Sequence, residues 1–181
     1  MDKASLTRLF RSHYWANHRL WRAVMALSEQ QFIHIPDDGT PSVQTQVVRM
    51  VANENLWVNY LWHDEVEFLQ EAQFPTRASI QVEWNALEAE MHDFIDELSP
   101  AGLERAIIPP FLHTRAPLKV WEILLHIIHY GGQCRAQLRQ HLQRLGSPAP
   151  DSDPIDFAAG LVQRDPRETE ALLVALRSFG R

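Results

Sequence analysis

The stretch PLKVWEILLHIIHYGGQCRAQLRQHLQRLG (117–146) decides the fold. Within it Leu124, Ile128, Gly131, Arg135, Leu138, Leu142 and Leu145 recur at alternating steps of four and three residues. That period keeps one face of an α-helix turned inward and describes the seam of a helical bundle. Pro117 suits a first helical turn, where its missing N–H is not needed, and Gly146 with Pro148 marks the end. Gly131, in mid-seam, leaves room for another helix to come close.

Working outward, three more segments carry the same periodicity without an internal Gly or Pro. The first spans about 5–27, with Leu6, Leu9, Phe10, His13, Asn17, Leu20, Trp21 and Val24 on its inner stripe. The second spans about 43–71, with Ser42 as N-cap and Val47, Met50, Val51, Glu54, Trp57, Val58 and Leu61 inward. The third spans about 78–98 through Ile80, Trp84, Leu87, Met91, Phe94 and Ile95, and Ser99-Pro100-Ala101-Gly102 breaks it. IPDDGTP (35–41) reads as a loop, and 103–116 as irregular chain with a short extended pair. The tail, 146–181, opens with a Pro/Asp linker. In it Asp165-Pro166-Arg167-Glu168 caps a last helix over 166–178. The expectation is one all-α domain over 1–181, a four-helix bundle with a C-terminal helical extension.

Composition narrows the function. With 17 basic and 23 acidic residues the net charge is −6, and no basic run is present, which argues against nucleic acid. No apolar run is long enough for a membrane span, and MDKASLTRLFRSHYW (1–15) lacks the apolar stretch of a signal peptide. A cytoplasmic protein is expected. The single Cys excludes an internal disulfide and a Cys-rich zinc site, while the 9 His invite a metal hypothesis. His126, Tyr130 and Cys134 form an i, i+4, i+8 row, and His126 and His129 stand at i, i+3. By themselves such pairs also arise on any amphipathic helix that borders a core. The six Trp fall in helical stripes and read as core filling.

LLHIIHYGGQCRAQL (124–138) resembles the last-helix signature of the DinB/YfiT-like family. SHYWANHRLWRAVMAL (12–27) is similar to the family's first helix, ENLWVNYLW (54–62) to its A-E-x-x-W segment, and LGSPAPDSDPIDFAAGL (145–161) to the segment after the signature. The resemblance implies a homodimeric four-helix bundle that holds zinc or nickel on three His. It also implies thiol S-transferase or isomerase activity on low-molecular-weight thiol adducts. Transferred onto this chain, the ligand positions are Arg49, Tyr130 and Cys134, so all three His are replaced. Glu54, Trp57, His126, Arg135 and Gln137 are retained, and His129 stands where the family has Asn.

A guanidinium keeps its proton and cannot ligate a cation, so no cofactor is expected, although zinc or nickel remains what the resemblance implies. Three readings of the degenerate pocket stay open. It binds a small polar or anionic molecule through Arg49, Glu54, Trp57, His126, His129, Tyr130 and Cys134. Alternatively Cys134 is a working thiol whose pKa Arg49 and Arg135 lower, with His126 as its companion catalytic candidate. In the third, the site is structural, with Cys134 a small hydrophobe and Arg49 paired to Glu54 or another carboxylate. A stress-response interaction module is a further alternative. Whether the chain is an enzyme is not decided by its sequence.

Overall fold

A computed structural model describes residues 2–113, 116–149 and 152–158. Four long helices carry the apolar stripes: α1 (Lys3–Met25), α3 (Val43–His63), α4 (Arg77–Glu97) and α6 (Val120–Arg144). Each starts where a side chain satisfies backbone N–H groups that the first turn leaves without partners. Asp2 accepts from Ser5 N at 2.8 Å, Ser42 from Thr45 N at 3.0 Å and Thr76 from Ser79 N at 3.1 Å. At α6 the Glu122 carboxylate reaches back to the Lys119 N–H at 2.7 Å. Gly146, at φ +72°, ends α6 in a left-handed turn; its N–H bonds the Gln143 carbonyl and the Ser147 N–H bonds that of Leu142, both at 3.0 Å.

The long helices form a square in which α1 and α3 each pack on both α4 and α6. Leu6, Phe10, Val24, Val43, Val47, Val51, Val58, Ile80, Met91, Leu124, Leu138 and Leu142 are wholly buried along the shared axis. Burial on this scale drives the assembly, at about 1.5–3 kcal/mol for each large aliphatic side chain. Trp21, Trp57 and Trp84 belong to this core, Trp62 and Trp121 border it half-buried, and Trp15 packs on Phe157 of the segment after α6.

Several boundaries differ from the sequence reading. The second long helix stops at His63, not near residue 71, because Asp64 takes a left-handed conformation at φ +57°. Asp64, Glu65 and Glu67 would stack negative charge on the negative end of the helix dipole, which disfavours continuing it. Glu67 instead folds back to accept from Asn55 and Asn59 at 3.2 and 3.3 Å. The polar stretch after α1 is itself a short helix, α2 (Glu29–Ile33), started by reciprocal bonds between Ser28 and Gln31. Ser99-Pro100 ends α4 and also opens α5 (Pro100–Glu104). Pro117 does not start the last long helix: Leu118–Lys119 first forms strand β2, antiparallel to β1 (Ala106–Ile107), the short extended pair. A 3₁₀ turn lies at Glu71–Gln73, and α7 (Pro154–Ala158) packs on α1. The Thr114-Arg115 part of the turn before Pro117 and the helix expected over 166–178 lie outside the described residues.

Candidate functional site

Two polar constellations meet along α6, one sealed in the bundle and one open beside it. The sealed one follows from the break in the seam at Gly131 and Arg135. Gly131 admits His13 of α1 so closely that a Cβ would stand 2.4 Å from its Cε1. Arg135, buried on the seam, donates through Nη1 to Asn17 Oδ1 at 2.7 Å and to His13 Nδ1 at 3.1 Å. A guanidinium only donates, so His13 Nδ1 accepts; Nε2 of the same ring lies 3.1 Å from the Asn17 amide nitrogen and 3.8 Å from Glu54 Oε2. Tyr14 donates its hydroxyl hydrogen to the other Glu54 oxygen.

Burial sets the protonation states in this cluster. It holds His13 below the ordinary histidine range against the upward pull of Glu54, and pushes Arg135 down to about 10. Burial, reinforced by Glu54, drives Tyr14 well above the tyrosine range. At neutral pH Arg135 is therefore the cation of the cluster and His13 is neutral beside it.

The open constellation is a groove of about 410 Å³ between α6 and the start of α3. Thr40, Pro41, Gln46 and Arg49 form one wall. Tyr130, Cys134, Gln137, His141 and Arg144 run along the other, with Gln133 and Gln140 beside them. The three positions singled out by resemblance, Arg49, Tyr130 and Cys134, converge here. Tyr130 and Cys134 are hydrogen-bonded to each other, and both are raised above their ordinary pKa ranges, chiefly by burial. Arg49 and Arg135 do pull the Cys134 thiol downward, but burial outweighs them. Arg49 is exposed and has no ion pair or hydrogen bond among the described residues, so the proposed Arg49–Glu54 pair is not formed.

The other four candidates lie outside the groove. Glu54 and Trp57 are only 4% exposed, Glu54 within the sealed cluster and Trp57 edge-on to Phe111 and His126. His126 and His129 are exposed; His126 lies between the Trp57 and Tyr130 rings, and burial of its ring lowers its pKa. The His126–Tyr130–Cys134 row is thus continuous, but only its last two members face the groove.

Together with the family comparison, these observations place the chain. The family model described as DinB family matches residues 1–165. The chain belongs to the DinB family. Comparison with curated proteins found no match. Against the metal that the DinB resemblance implies, the donor set here does not fit. Arg49 cannot ligate, which leaves only Tyr130 and Cys134 as donors at the three positions the resemblance marks. Nor does His141 offer a lone pair. The Pro41 carbonyl only accepts, so the Gln46 amide nitrogen faces it at 2.7 Å and gives its second hydrogen to His141 Nδ1 at 2.8 Å. Neutral His141 then carries its own hydrogen on Nε2.

Sequence reasoning missed Thr40, Gln46, Gln137, His141 and Arg144 as groove residues. A signal for part of this set was present: Tyr130, Cys134, Gln137, His141 and Arg144 each precede a seam residue by one position. The wall of the groove is the bundle seam shifted by one residue.

Proposed function

We propose that the groove between α3 and α6 binds a small anionic molecule without a metal, with Arg49 as its fixed cation. One observation carries this reading: among the described residues no Asp or Glu lines the groove, and its ionisable groups are cationic or hold a proton. Arg49, the Cys134 thiol and His141 Nε2–H are donors, in a chain whose net charge is −6; the Tyr130 hydroxyl hydrogen is engaged by Cys134. Such a lining complements the acceptor oxygens of a carboxylate or phosphate and repels a dication. Elemental analysis of untagged protein, paired with titration by a small carboxylate, tests it. Protein without stoichiometric metal, and carboxylate binding weakened at least about tenfold in Arg49→Gln, is expected. Stoichiometric zinc or nickel, or binding indifferent to Arg49→Gln, overturns it.

The homodimer implied by the resemblance has matching surfaces. Helix α1 carries Lys3, Arg8, Arg11, Arg19 and Arg22 and no carboxylate. Helix α4 carries Glu83, Glu88, Glu90, Asp93, Asp96 and Glu97 against Arg77 alone. The two helices are neighbours, so a two-fold pairing would set each α1 against the partner's α4 and cover Val82, which is 70% exposed. Sedimentation should show a dimer that Val82→Glu dissociates. A wild-type monomer at micromolar concentration refutes the pairing.

A further inference from the structure

The far end of the groove holds a second recognition element. The bonds to Pro41 and His141 use both Gln46 amide hydrogens. Gln46 Oε1 and His141 Nε2 then have no hydrogen-bond partner among the described residues. Both residues line the groove and are more than nine-tenths buried. One orphan accepts and the other, by the tautomer just derived, donates. Buried orphans of this kind are rare, because each costs the hydrogen bonds it had with water. Gln46 Oε1 calls for a donor and His141 Nε2–H for an acceptor, and hydroxyl groups supply both. A carboxylate, which only accepts, would leave Gln46 Oε1 unpaired.

The surroundings favour the same chemistry. Gln133, Gln137 and Gln140 stand at i, i+4 and i+7 along the groove, and carboxamides pair with hydroxyls in either sense. Arg144 at this end is already paired with Asp38 at 3.0 Å, so it adds no net charge. Among the described residues Arg49 is left as the unpaired cation lining the groove, at the Tyr130–Cys134 end. From Cys134 to Arg144 the helix rises roughly 15 Å, longer than a lone carboxylate needs.

We propose that the ligand of this groove is a polyhydroxylated anion of the sugar-acid class. Its anionic end sits at Arg49 and its hydroxyls lie along Gln137 toward Gln46 and His141. This rests on the anion-binding reading above and goes further by naming the body of the ligand.

Calorimetric titration with gluconate, hexanoate and sorbitol separates the two. Gluconate should bind about tenfold or more tightly than either hexanoate, which lacks hydroxyls, or sorbitol, which lacks the carboxylate. Gln46→Leu should reduce gluconate to the affinity of hexanoate and leave hexanoate unchanged. Gln137→Leu changes an exposed residue, does not threaten folding, and should weaken gluconate alone. Hexanoate binding as tightly as gluconate, with both lost in Arg49→Gln, overturns the sugar-acid inference and leaves the anion reading standing; the orphaned atoms then hold only a water. Gluconate binding that Gln46→Leu and Gln137→Leu do not alter also overturns it. Failure of both carboxylates to bind removes both readings.

Discussion

Arg135 and Arg49 occupy neighbouring helices of one bundle and are used in opposite ways. Arg135 is sealed against His13 and Asn17, its charge balanced across His13 by Glu54. Arg49 stands exposed at the groove with no such partners. The contrast separates an arginine that the fold consumes from one it leaves available. A buried guanidinium needs its acceptors within the protein, whereas an exposed one keeps its hydration until a ligand replaces it.

Replacing each arginine by Met is the strongest way to break that comparison. Arg135→Met leaves His13 Nδ1 and Asn17 Oδ1 without their donor and Glu54 without its countercharge, all in the interior. A loss of about 3–5 kcal/mol in urea unfolding is expected, enough to endanger folding at 37 °C. Arg49→Met should lie within about 0.5 kcal/mol of wild type, as surface changes usually do. Equal losses in the two variants would mean that Arg49 is structural.

Gly131→Ala sharpens the sealed side. The added methyl would lie 2.4 Å from a ring that Arg135 and Asn17 hold in place. Relief by rotating His13 would break its bond to Arg135. A cost of about 1–3 kcal/mol is expected, net of the better helix propensity of Ala, and visible as a lower thermal midpoint. An unchanged or raised midpoint would show that His13 is free to move.

The bundle was legible because its seam is written in a period that few other structures share. Leu124, Leu138 and Leu142 are as deeply buried as their spacing implies. The end of α3 was not legible, because apolar and polar residues alternate enough through 64–71 to mimic a further turn. Only the left-handed Asp64 and the return of Glu67 to Asn55 and Asn59 decide it. At the site, resemblance singled out Arg49, Tyr130 and Cys134, and helix geometry brings the three to one groove. The resemblance misplaced Glu54 and Trp57 in the pocket. A position five or eight residues along a helix from Arg49 points in another direction, and here that direction is the core. The sealed cluster depends on His13 meeting Gly131 across more than a hundred residues of chain, and no local pattern encodes that pairing.

The sealed cluster should also make stability depend on pH. His13 is held neutral in the folded protein, with Arg135, Glu54 and Tyr14 around it, and the unfolded chain takes up its proton near pH 6.5. Below that pH the unfolded state binds more protons than the native one, so stability is full above about pH 6.5 and falls as pH drops. His126 and His141 shift in the same direction, while His18, raised by Glu88, acts weakly the other way because it is half-exposed. Up to about 1.4 kcal/mol per pH unit for a fully displaced histidine is expected in the unfolding free energy. Stability constant between pH 7.5 and 5.5 would mean that His13 accepts a proton in place.

Cys134 supplies the smallest effect and bears directly on the groove. If its occupant is met by donors, the thiol must be protonated at neutral pH, as burial dictates against the pull of Arg49 and Arg135. Alkylation by iodoacetamide at pH 7 should then be slower than that of free cysteine. Arg49→Met should slow it further, by no more than about threefold, since that arginine contributes one of the smaller pulls on the thiol. Labelling faster than free cysteine would reveal a thiolate, which attracts cations and repels the proposed anion. Faster labelling that also collapses in Arg49→Met would recast Arg49 as the activator of a nucleophile, and its apparent availability would belong to catalysis on a thiol.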